Sequence, residues 1–262
     1  MAMRPIRPAL ALAMLPAKGA RSRRLAGLIL GAVLLVVASG WLIGRDREVA
    51  RQPLGLFTSL PILWSEAPDV AGLIKSETPP HWARAVLAKY GPIVALDRLD
   101  GLDRSGLTRL ILAQPRPLGP TENVALDNWV KGGGRLLLLA DPALTAESAY
   151  SIGDQRRPQA IVLLSPILTR WGLRLEFDDA QTFGEREVKV MDVAVPVNLP
   201  GRFVLANETH CRRWADGLTV SCAIGKGRVI ALADAALLDQ DDPDGSRLEA
   251  LDRLLTTTFA RR

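Results

Sequence analysis

The chain has 262 residues, 48% of them apolar, a formal net charge of +5, two cysteines and two histidines. That length suits one large domain or two small ones. His81 and His210 stand in unrelated contexts, outside any H-x-x-x-H or H-E-x-x-H spacing, so a zinc site is not expected.

The charge is uneven. Residues 1–24 form a leader with six basic side chains and no acid, which leaves 27 basic against 28 acidic residues in the rest. A nucleic-acid binder needs a basic face on the folded body, and only scattered Arg-Arg pairs occur there. Residues 25–44 contain no charged side chain. As a helix they would span about 30 Å, one hydrocarbon core. A secretory signal core usually runs about 7–15 residues, so an uncleaved transmembrane anchor is favoured over a signal peptide cut after Val36-Val37-Ala38. The positive-inside rule then predicts a single-pass protein of a bacterial inner membrane, with a cytoplasmic N-terminus and a periplasmic body. Residues 45–53 read as a stalk and 54–262 as the body.

In the body, 54–58 reads as a strand and 69–75 as a short helix. A helix from Thr78-Pro79 should carry Trp82, Ala85 and Val86 on one side and stop at Gly91-Pro92. A strand at 93–96 follows. The centre is 107–142: an apolar run at 107–113, a helix, and a second run at 135–140. Thr121 is the expected N-cap, Glu122 lies in the positive first turn, and Gly132 is placed for the left-handed position after the helix. Leu126, Trp129 and Val130 give the inward stripe. Strand, helix and strand at this spacing predict a parallel βαβ unit.

Residues 142–158 read as a loop, Ser165-Pro166 as a helix start, and 173–177 as a strand. Pro196 and Pro200 mark edge strands between 185 and 205. Asp216-Gly217 is a two-residue hairpin signal whose register sets Cys211 opposite Cys222, close enough for a disulfide; two buried free thiols are the other reading. A buried strand at 229–233 ends at Asp234, and Ser246 to Glu249 reads as a capping box opening the last helix. The expected fold is α/β: a three-layer sandwich with a mostly parallel sheet, flavodoxin-like or glutamine amidotransferase-like. A small β-hairpin excursion is expected at 173–224, and one transmembrane helix should precede the whole.

The chemistry is sparse. No G-x-S-x-G elbow or G-x-x-x-x-G-K-[ST] phosphate loop is present. Gly132-Gly133-Gly134 and Gly225-Lys226-Gly227 each precede a strand, the reverse of a phosphate cradle, and read as turns. Asp141 and Asp234 each follow a buried strand, where neighbouring carboxylates would converge on a ligand; the plainer reading is that each caps the next turn. Gln114 and Trp64 stand at equivalent strand ends and would line the same cleft.

Residues 107–142 together with Ile224 to Asp234, with their GG-R-apolar-D-P and G-x-G-R-V-apolar-D segments, resemble the DUF4350/GldG-type domain. The resemblance covers most of 54–256. It implies a module of an uncharacterised ABC-type transport system, on a scaffold similar to the class I glutamine amidotransferases. Where those enzymes place a cysteine nucleophile elbow, this chain has Asp141-Pro142, and no His-x-Glu pair follows. The expectation is therefore a non-catalytic accessory or binding subunit without a cofactor. Its partners would be an ABC permease and ATPase, or MoxR-associated membrane proteins, and not nucleic acid. A hydrolase or ligand-binding enzyme using Asp141 and Asp234 is the alternative, and a scaffold without ligand a third reading.

Overall fold

The computed structural model describes residues 52–66, 80–206, 211–239, 242 and 245–260. They belong to one compact unit, Val49–Arg262. Five strands, β1 (Leu54–Thr58), β2 (Ile93–Ala95), β3 (Arg109–Ala113), β4 (Arg135–Leu139) and β11 (Gly227–Leu232), run parallel in the order β2-β1-β3-β4-β11. β10 (Thr219–Ile224) and β9 (Cys211–Trp214) extend the sheet antiparallel beyond β11. β1, β3 and β4 are almost wholly buried, as their unbroken apolar runs require of strands covered on both faces.

Between β3 and β4 runs α2 (Pro120–Lys131), which buries Leu126, Trp129 and Val130. Its N-cap is Gly119 and not the expected Thr121, because Pro120 takes the first helical position and the Glu122 carboxylate folds back onto the Gly119 N–H. Gly133, not Gly132, adopts the positive φ after the helix. α1 (Trp82–Lys89) is capped by His81 and buries Ala83, Val86 and Leu87, so its inward face is turned from the one expected. α3 (Ser165–Arg170) follows the long segment after β4. The last helix, α4 (Ser246–Phe259), packs across β4 and β11. Leu248 is exposed, and the buried stripe is Ala250, Leu251, Leu254 and Leu255.

Register produces one row of like charges. Arg109, Arg135 and Arg228 begin three adjacent strands side by side, and side chains in register share a face. Arg135 donates to the carbonyls of Phe259 and Ala260, and Arg228 to that of Thr257. The row thus receives the negative end of α4.

The main sheet is mostly parallel, as expected, with five of its seven strands running one way and β10 and β9 antiparallel at one edge. The excursion at 173–224 is larger than one hairpin: β5 (Leu173–Glu176) pairs with β8 (Arg202–Leu205), and β6 (Arg186–Val190) with β7 (Val193–Val197), as two separate antiparallel ladders. The membrane expectations are corrected. Among the described residues no helix is long and apolar enough to cross a membrane; the longest, α4, has 14 residues and a polar side. The transmembrane helix in the expected fold, and the single-pass inner-membrane placement with a periplasmic body derived from it, therefore have no counterpart there. The 1–24 leader, the 25–44 stretch and the 69–75 helix lie outside the described residues.

Candidate functional site at the carboxyl ends of the parallel strands

In open α/β sheets ligands bind beyond the carboxyl ends of the strands, at the point where strand order reverses. Here that point lies between β1 and β3, and the residues just beyond them are Ser59 and Gln114. Gln114 is fully buried and has a positive φ of 43°. Its side chain turns to the neighbouring strand end: Nε2 donates to the Asp141 carbonyl at 3.0 Å, and Oε1 accepts from the Asp141 N–H at 2.9 Å. Nε2 also donates to the Gln159 carbonyl, while Ser59 Oγ donates to the Gln114 carbonyl and accepts from the Gln159 N–H. The crevice between β1 and β3 is therefore bridged by the chain's own residue 159.

Asp141 and Asp234 each stand two residues beyond the register pair Leu139↔Leu232, at the ends of neighbouring strands. Both are 0% exposed. Asp141 accepts from the N–H groups of Ala143, at 2.8 Å, and Ala235, at 3.1 Å. Asp234 accepts from those of Ala236, at 2.6 Å, and Asn198, at 3.0 Å. Every carboxylate oxygen is thus engaged by a backbone amide. Each side chain bonds the amide two residues on, the turn-capping geometry of an aspartate; the second bond of each ties in another segment.

Burial pushes the Asp141 carboxyl up to about 6, against the pull of its two amides. Burial, and then the charge of Asp141, push Asp234 well above the usual carboxylate range. The direction follows from the geometry: both carboxyls are fully buried at neighbouring strand ends, where burial and a like charge nearby both disfavour the ionised form.

The structure brings Gln114, Asp141 and Asp234 together at one corner. Trp64 is 44% exposed in the bends after β1, and among the described residues no hydrogen bond or ring contact joins it to the other three. Cys211 and Cys222 lie apart, on β9 and β10, directly opposed and joined by a disulfide with Cα atoms 4.1 Å apart. The turn between them has positive φ at Asp216 and Gly217 and closes with Leu218 N–H on the Ala215 carbonyl. Among the described residues no group of three His, Cys, Asp or Glu side chains forms a metal-ligand cluster.

Ser59, Gln159 and Asn198 complete the corner and were not expected from the sequence. One signal was legible. Gly134-Arg-Leu-Leu-Leu-Leu-Ala-Asp141 and Gly227-Arg-Val-Ile-Ala-Leu-Ala-Asp234 share a pattern, and they lie side by side in register from glycine to aspartate. The glycines permit close approach: a β-carbon on Gly227 would sit 1.9 Å from the Val130 carbonyl oxygen, and one on Gly134 would sit 2.4 Å from the Trp129 ring.

An open cleft of about 700 Å³ lies one layer outside this corner. Its floor at Gly201 rests on the corner, with the Gly201 N–H on the Ala233 carbonyl and Pro142 beside it. Phe177, Asp179, Arg186 and Asp216 line it, and the Glu176 carboxylate on its wall is held by Arg174 and Arg202.

No protein-family model matches the chain, and no curated protein is similar to it. An exo-β-1,4-mannosidase from an Opitutaceae bacterium is similar at 13% identity and a TM-score of 0.47, over 83% of this chain but 37% of its own. A cytoplasmic protein of Salmonella typhimurium LT2 is similar at 13% identity and a TM-score of 0.45, over 79% of this chain and 99% of its own. A ThuA-like protein from Bacteroides uniformis is similar at 9% identity and a TM-score of 0.40, over 79% and 91%. At these scores the likeness says nothing about activity or compartment. The chain spans little more than a third of the mannosidase.

Proposed function

We propose that this domain is a non-catalytic binding module that serves as an accessory subunit of an ABC-type transport system. The transport setting rests on the resemblance of 107–142 and 224–234 to the DUF4350/GldG-type domain. The non-catalytic reading is carried by one observation: Asp141, at the strand end where an amidotransferase elbow would present its nucleophile, is fully buried and spends both oxygens on backbone amides. A nucleophile or general acid must reach the reacting atom to within hydrogen-bonding distance. The two carboxylates on which a hydrolytic alternative depends offer no exposed oxygen.

Two measurements test the proposal. The purified protein, given glutamine, an activated ester and an aryl glycoside, should turn over none of them above an Asp141→Asn control. A tagged full-length chain should co-purify with an identifiable ABC permease or ATPase. Turnover that the control abolishes would overturn the non-catalytic half, and repeated isolation without such a partner the transport half.

A further inference from the structure

Residues 142–164, between β4 and α3, form a strap over the carboxyl ends of the strands. They contain no helix or strand. The strap is fastened at four places: Ala143 N–H on the Asp141 carboxylate, Ala149 N–H on the Glu66 carboxylate, Gln159 between Ser59 and Gln114, and Val162 N–H on the Asp141 carbonyl. Between these points it crosses the crevice where strand order reverses, which is where an open α/β sheet takes its ligand. Its outer side is mixed: Ile152, 94% exposed, and the exposed Ile161 and Leu163 share it with Glu147, Gln155 and Arg156, while Val162 and Leu164 are buried. Two fastenings converge on Asp141, and the Asp141 carboxylate also holds Ala235, next to its neighbour Asp234.

A buried pair of carboxyls held this way has two distinct states. With one proton between them, a single negative charge is spread over a dry corner lined by backbone amides. With none, two negative charges are buried together at neighbouring strand ends. The strands cannot separate, because the ladder Ala140–Leu232 and the in-register pairs before it fix them. The irregular segments are the parts free to yield. We propose that the Asp141–Asp234 pair is a proton-held latch: while it keeps one proton the strap lies closed over the crevice, and loss of that proton admits water and lifts the strap.

The charged groups around the pair favour retention of the proton. From the turn after β11, Asp239 adds a further negative charge toward both carboxyls. From α4, Arg247 comes nearest, but it donates to the Ala236 carbonyl and pairs with Glu185, so its charge is already matched. From the strap, Asp154 pairs with Arg156, and Arg157 donates to the Tyr150 carbonyl. From the end of β7 comes only the Asn198 amide, and from β3 only the neutral Gln114 carboxamide. From α1, His81 meets the turn at the Leu238 carbonyl, and burial holds its ring toward the neutral form. The raised ionisation of both carboxyls agrees with the geometry.

The latch does not depend on the transport proposal and is tested separately. Hydrogen exchange of the full-length protein, corrected for intrinsic rates, is followed by NMR from pH 5 to pH 9. Protection of the Ala143, Gln159, Val162 and Ala235 amides should fall at least tenfold across this range, while Leu110, Ile111 and Leu137 in the central strands keep theirs. Asp234→Asn, which cannot ionise and keeps one acceptor oxygen, should flatten the profile at the strap. Strap amides that track the strand amides at every pH, or an Asp234→Asn profile like that of the parent, would overturn the latch. Should that variant not fold, carboxyl ¹³C shifts of the parent decide: one carboxyl still protonated at pH 7 supports the latch, and both ionised by pH 5 refutes it.

Discussion

The Gln114 carboxamide bonds both the N–H and the carbonyl of Asp141, one strand away. A side chain thereby continues the β3–β4 ladder after the backbone of β3 has turned aside through a positive φ. The position demands a donor and an acceptor at once, which the carboxamide supplies at every pH.

Gln114→Ala should therefore cost about 2–4 kcal/mol in urea unfolding, since it strands buried groups on Asp141 and Gln159. Gln114→Glu keeps the shape but turns a carboxylate oxygen toward two carbonyls. It should be the worse of the two at pH 8 and recover toward pH 5, as protonation restores a donor.

Glu122 obeys the opposite sign from the aspartate pair. It accepts both Nη atoms of Arg116 and the N–H groups of Gly119 and Leu99. The Arg116 bond first, then the two amides, bring its carboxyl down to about 2 despite burial. A depressed folded value gives stability that is present above about pH 4.5 and lost as pH falls toward 2. Glu122→Gln should lower stability by about 2 kcal/mol at pH 7, less than full linkage because Arg116 is half open to water. The difference from the parent should vanish near pH 2. Thermal unfolding of both proteins across that range checks it.

Arg135 and Arg228 hold the end of α4 through its carbonyls. The double substitution to alanine should lower the melting temperature and loosen the last turn of α4 first, with Thr256 to Phe259 losing exchange protection while α2 keeps its own. A cost of about 1–3 kcal/mol is expected for charge-assisted bonds at a helix terminus. Arg135→Lys, which keeps the charge without the fork, should recover only part of it.

The Cys211–Cys222 disulfide fastens edge strand β9 to β10. Replacing both cysteines by serine should cost about 2–3 kcal/mol, the scale of closing a loop of this length. The central parallel strands should keep their exchange protection while β9 loses it. Equal loss in both would show that the bond supports the whole sheet.

Much of this molecule was legible locally. Residues 54–57, 110–113 and 136–139 are apolar without interruption, and only strands covered on both faces accept such runs. Asp216-Gly217 fixed the register of Cys211 and Cys222, because a two-residue turn leaves one pairing. Helix starts were less legible: Thr121 and Ser246 are good caps, yet both lie inside their helices, which begin at Pro120 and Ser246 with Gly119 and Gly245 at the cap positions.

The sequence by itself determined that an aspartate follows the apolar run 136–140, since that identity is covalent and needs no folding. Only the tertiary structure decided what the aspartate does. Its partners come from 143 and 235, and those of Asp234 from 198 and 236, segments up to 94 residues apart. Whether each carboxylate meets water or two amides depends on which distant stretch of chain is laid across it, and no periodicity along the chain encodes that.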